Sequence, residues 1–135
     1  MLLWVALVFA LQTGRVSAEP PLPSQLRSSF WALTTALADY QMDNDQRFPP
    51  GLADIKPYLN ESWRKSDLIE TTLFVQDFSG QSLYDIPMKT LKEVPVFVQT
   101  RKAADGHFYG YFFDSGIEEL SDEEVDRFVR KKPLQ

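Results

Sequence analysis

The sequence predicts an α+β domain: a long N-terminal helix packed on a small antiparallel sheet, with a short C-terminal helix. Three observations predict it. Leu26, Phe30, Leu33, Leu37 and Tyr40 recur at alternating steps of four and three, which places them on one stripe of a helix. Residues 94–113 are dense in β-branched and aromatic side chains around an Asp105-Gly106 turn. Ser121 is followed three residues on by Glu124, a capping box that opens a last helix.

The chain begins with an apolar run, residues 1–11, too short for the roughly 20 apolar residues that span a bilayer. Val16 and Ala18 fit a signal-peptidase site, so residues 1–18 are expected to be a signal peptide cut before Glu19. No Lys or Arg precedes the run, which departs from the usual pattern. Pro20, Pro21 and Pro23 make residues 19–23 a stiff, extended linker. Residues 24–132 then form a single domain. Ser24 is the expected N-cap of the long helix. Ala32, Ala36 and Ala38 favour it. Asp39, Asp43 and Asp45 oppose the negative end of its dipole, so it should stop near Asn44, before Pro49-Pro50-Gly51.

Leu52, Ile55 and Leu59 return to helical spacing, with Pro57 dividing the segment into short turns that fold back on the long helix. Leu68-Ile69 and Leu73-Phe74-Val75 read as strands, and Ser79-Gly80 as a turn. A two-residue type I′ turn at Asp105-Gly106 would pair Ala104 with His107 and Val98 with Phe113. Val96, Val98, Tyr109, Tyr111 and Phe113 would then face the long helix, while Phe108 and Phe112 would point away with Gln99 and Arg101. Asp114-Ser115-Gly116 turns into a strand at residues 117–119. In the last helix Asp122 and Glu123 suit the N-terminus and Arg127 and Arg130 the C-terminus, with Val125, Phe128 and Val129 as its apolar face.

The chain has 135 residues, a net charge of −5 and no cysteine. Removing residues 1–18 takes away one basic residue, Arg15, and no acidic one. An acidic domain of this kind repels phosphate backbones, so no nucleic-acid partner is expected. Without disulfides the fold must rest on core packing. Membrane contact is expected only through residues 1–18 where they are uncleaved.

Little in the sequence carries chemistry. His107 is the only histidine and sits beside a turn. Runs of acids at 118–119 and 122–124 suit a solvated face. Asp43, Asp45 and Asp54 hold the first, third and twelfth places of an EF-hand, but Arg47 and Phe48 fill places that need an oxygen ligand and a glycine. Asn60-Glu61-Ser62 matches the glycosylation sequon, a triplet common by chance. Phe108 and Phe112 are the candidate contact surface, because exposed aromatics offer large apolar area at low entropic cost; the alternative is that the C-terminal helix covers both rings through Val125, Phe128 and Val129.

Residues 40–52, YQMDNDQRFPPGL, placed after a long helix, resemble the segment that follows the long helix of bacterial pseudopilins. There a tyrosine, an Asp-Asn pair, an aromatic and a proline occur in the same order. The stretch from Leu52 to Pro57-Tyr58-Leu59 is similar to the pilin-like continuation, and residues 112–121, FFDSGIEELS, resemble the closing hairpin. Ser115 stands where the family usually has glycine, and no Gly-Phe-Thr-Leu-Ile-Glu leader is present. The resemblance implies a pilin globular domain that works by assembly rather than catalysis, with partners in type II secretion or a pilus-like machine. It implies no cofactor beyond calcium, which some pseudopilins bind in sheet loops and for which Asp77, Asp85 and Asp114 are the acids available. The expectation is therefore an exported, periplasmic or extracellular structural protein, not an enzyme. The alternative is a soluble periplasmic binding module for a peptide or glycan.

Overall fold

The computed structural model describes residues 19–129, and its architecture is the α+β arrangement expected. Helix α1 (Pro23–Asp43) comes first. Two 3₁₀ turns, Leu52–Asp54 and Lys56–Tyr58, and two single-turn helices, α2 (Glu61–Arg64) and α3 (Asp67–Glu70), follow. Strand β1 (Thr72–Phe74), two further 3₁₀ turns (Gln76–Phe78 and Leu83–Asp85), helix α4 (Met88–Glu93), strands β2 (Phe97–Gln99), β3 (Phe108–Phe112) and β4 (Gly116–Leu120), and helix α5 (Asp122–Val129) complete the described residues. The four strands form one antiparallel meander in the order β1-β2-β3-β4. Among the described residues no helix is long and apolar enough to cross a membrane.

Helix α1 buries the stripe read from the sequence. Leu26, Phe30, Leu33 and Leu37 are essentially sealed from solvent, and Tyr40 packs at the edge of the same cluster. Its start differs from expectation by two residues. Leu22 is the N-cap and Pro23 the first helical residue, where its fixed φ fits and its missing N–H costs nothing. The Gln25 Oε1 reaches back to accept the Leu22 N–H at 2.8 Å, so the cap comes from the third helical residue and not from Ser24. Asn44 closes the helix as expected. The Gln46 N–H bonds the Gln41 carbonyl at 2.8 Å across this end. Asp45 and Gln46 both adopt left-handed φ, 54° and 61°, an arrangement usually left to glycine. That double turn sends Phe48 back into the core.

Residues 19–22, read as part of a stiff linker, lie against the β2–β3 loop, and Pro23 opens α1. The Pro21 carbonyl accepts the Ala104 N–H at 2.8 Å, and Arg101 donates to the Glu19 carbonyl. Leu68 and Ile69, expected in a strand, lie in α3, because the Ser66 hydroxyl accepts the Leu68 N–H and caps a helical turn there.

The register of the β2–β3 pair also departs from expectation. Phe97 faces Tyr111 and Val98 faces Gly110, three residues away from the expected Val98–Phe113 pairing. Two causes add up. Only Gly106 takes positive φ, at 85°, whereas a type I′ turn needs it at Asp105 as well. The Gly106 N–H bonds the Ala103 carbonyl and the Ala103 N–H bonds the His107 carbonyl, so the loop holds one more residue than a two-residue turn. Beyond it, residues 99–102 face only residues 108–109. The excess is absorbed where Thr100 turns aside to bond the Thr71 carbonyl through both its N–H and its hydroxyl.

An odd shift exchanges the faces of a strand. Val98, Gly110, Phe112 and Leu120 share one face, and Phe74, Phe97, Tyr111 and Ile117 share the other. Both faces are covered, since Phe97 and Val98 are equally buried. Gly110 is required by closeness: a Cβ there would sit 2.8 Å from the Leu120 Cδ1 and 3.1 Å from the Phe97 carbonyl oxygen. The capping box of α5 is formed as read, with the Glu124 N–H on the Ser121 hydroxyl at 3.1 Å and the Ser121 N–H on the Glu124 carboxylate at 2.9 Å.

Candidate interaction site

Phe108 and Phe112 do not form an exposed pair. Phe112 is only 6% exposed and belongs to the core, and Phe108 is half-buried. Helix α5 contacts β2 and β4, and its Val125 and Phe128 enter the same cluster as Phe112. The Lys102 ammonium lies 5.4 Å from the centre of the Phe108 ring and 3.8 Å from the Asp122 carboxylate at the start of α5. Helix α5 is the physical reason: with Val125 and Phe128 buried in the core it covers the surface that the sequence suggested.

His107 is exposed, with Nδ1 3.6 Å from the Glu119 carboxylate. Asp77, Asp85 and Asp114 do not come together. Among the described residues no three His, Cys, Asp or Glu side chains could hold a metal ion.

A different surface stands out, on the outer side of α1. Trp31 follows Phe30, so the helix turns it away from the core, and it is 74% exposed. Tyr58, Leu59, Asn60 and Trp63 of the returning chain build a wall beside it. The Tyr58 hydroxyl donates to the Asp43 carboxylate at 2.8 Å, and its ring meets Tyr40 edge-on at 6.0 Å, which fixes residues 56–58 against the C-terminal half of α1. That hydrogen bond to a carboxylate also holds the Tyr58 phenol above its usual pKa. Asn60 then caps α2, accepting the Trp63 N–H at 3.0 Å and the Ser62 hydroxyl at 2.8 Å. The cap places Trp63 opposite Trp31.

Between them lies a groove of about 540 Å³, with Ala32, Ala36 and Leu59 in its lining and Arg27 at its edge. It continues past Ser28 and Trp63 into a second cleft of about 410 Å³ bordered by Ser24, Gln25, Ser66 and Leu68. No acidic side chain lines the first groove. Asp67 borders the second, and it pairs with Arg101 at 3.6 Å. Such a trough has the shape and the apolar lining to bind.

Sequence reasoning passed over Trp31 and Trp63. A signal for the first was present: a tryptophan one residue off the apolar stripe of an amphipathic helix must face outward. Trp63 carried none, because its position depends on the folding back of residues 52–60. No family model, curated protein or solved structure matches the chain.

Proposed function

We propose that this protein is an exported, pseudopilin-like structural protein that acts by docking a protein partner, as an accessory of type II secretion or a pilus-like assembly. One observation carries the reading. A large indole, Trp31, is held in water at the middle of a rigid helix, opposite a second indole and beside small residues that let a partner approach. Exposed tryptophans beside apolar wall are where protein contacts concentrate. The likeness of residues 40–59 and 112–121 to pilin-like segments supplies the kind of partner. Residues 1–18, read as a signal peptide, supply the route out of the cell.

Photo-crosslinking tests the reading. A photoreactive amino acid replacing Trp31 in the full chain, expressed in its own host, is expected to give adducts with an exported component of a secretion or pilus-like machine. Absence of adducts from this position, with adducts to such a component equally absent from position 63, would overturn it. The second reading, a binding module for a peptide or glycan, draws on the groove's volume, which lies in the range of about 300–1,000 Å³ typical of ligand sites.

A further inference from the structure

We propose that the trough along α1 receives an extended, apolar-acidic peptide segment of a partner protein, with an apolar side chain between Trp31 and Trp63 and a carboxylate on Arg27. The inference rests on the docking role proposed above and names the site and the chemistry of its occupant.

Shape favours a chain over a compact ligand. The two clefts share Ser28 and Trp63, so they form one continuous channel beside α1, from Ser24 to Ala36. Twelve residue steps of helix span about 18 Å. At roughly 3.3 Å per residue that length holds five or six residues of extended peptide.

Charge selects the sign of the occupant. Arg27 is exposed at the groove edge and makes no ion pair among the described residues. It is the one charged side chain lining the wider groove. The protein as a whole is acidic, with net charge −5, so a groove lined by a cation and by no acid is an exception to its surroundings. A guanidinium offers a planar fork of donors that fits a carboxylate. The aromatic walls favour an apolar side chain next to that carboxylate, since indole and phenol rings bury large area with few rotors to freeze.

Isothermal titration of the full chain with three capped hexapeptides tests the proposal: alternating leucine and glutamate, alternating leucine and lysine, and alternating serine and glutamate. Tryptophan emission is followed in parallel, because Trp31 and Trp63 both border the trough. The leucine-glutamate peptide is expected to bind saturably and to shift the emission. The other two are expected to bind at least about tenfold more weakly. Arg27→Glu, an exposed position whose change leaves the core intact, should abolish the preference for glutamate over lysine, and Arg27→Lys should keep its sign. Equal binding of the glutamate and lysine peptides, an unchanged preference in Arg27→Glu, or no saturation by any peptide up to about 1 mM would each overturn the proposal. So would an emission shift by a neutral oligosaccharide with none by the peptides. If the peptides fail while position 31 still crosslinks to an assembly component, the occupant is misassigned and the docking role stands. Loss of both overturns both.

Discussion

The Asp105 carboxylate accepts the Tyr109 hydroxyl at 2.6 Å and the His107 N–H at 3.0 Å. The hydrogen bond from Tyr109, its largest influence, holds Asp105 below the usual carboxylate pKa, and the same bond pushes the Tyr109 phenol up to about 12. The two shifts act at opposite ends of the pH scale. Asp105 contributes stability that is present above its unfolded pKa and is lost as pH falls through the lower folded value. Tyr109 keeps its proton longer when folded, so its contribution is whole below about pH 10 and is lost as pH rises toward 12. Ultraviolet difference titration should find Tyr109 ionising near 12. In Asp105→Asn that titration should move down toward about 10, while Tyr58, raised by Asp43, and Tyr111, raised by burial, keep their positions. An unchanged profile would show that the bond is not made in solution. The sequence identified Asp105-Gly106 as a turn, but not this bond, because the partner's position depends on which of the two residues takes positive φ.

At the scale of elements, α1 and the start of α5 were legible because their signals are local. A stripe of apolar residues and a capping box are set by side chains within one or two turns. The hairpin's existence was legible for the same reason, while its register was not. Register here depends on the Thr100–Thr71 bonds at the ends of β2 and β1, 29 residues apart in sequence, which draw two residues out of the ladder. The cover that α5 gives the sheet is measurable at Phe112 and Phe108. Phe112→Ala should cost about 3–5 kcal/mol, the range for emptying a core aromatic site. Phe108→Ala, half-buried and capped by Lys102, should cost clearly less, about 1 kcal/mol. Urea titration of both variants checks this. Equal losses, or a smaller loss at Phe112, would mean that α5 does not cover Phe112 in solution.

For the whole molecule, α1 serves two surfaces at once, and this division is the strongest claim the fold makes. The stripe through Leu33 is closed by the sheet, the returning segment with Ile55 and Leu59, and Phe48. The stripe through Trp31 and Met42, 74% and 77% exposed, is closed by nothing within the described residues. Burial predicts opposite outcomes on the two sides. Leu33→Ala leaves a cavity in a sealed site and should cost about 2–5 kcal/mol. Trp31→Ala removes little that folding buries, so its cost should stay within about 0.5 kcal/mol, the usual range of surface substitutions. Binding should sort them the other way. If the outer stripe is a docking face, Trp31→Ala loses the partner while the urea midpoint stays near that of the parent chain, and Leu33→Ala lowers the midpoint while its folded fraction still binds. A large stability loss from Trp31→Ala would mean that the indole is covered in the molecule in solution. The helix would then have one face too few for the role proposed.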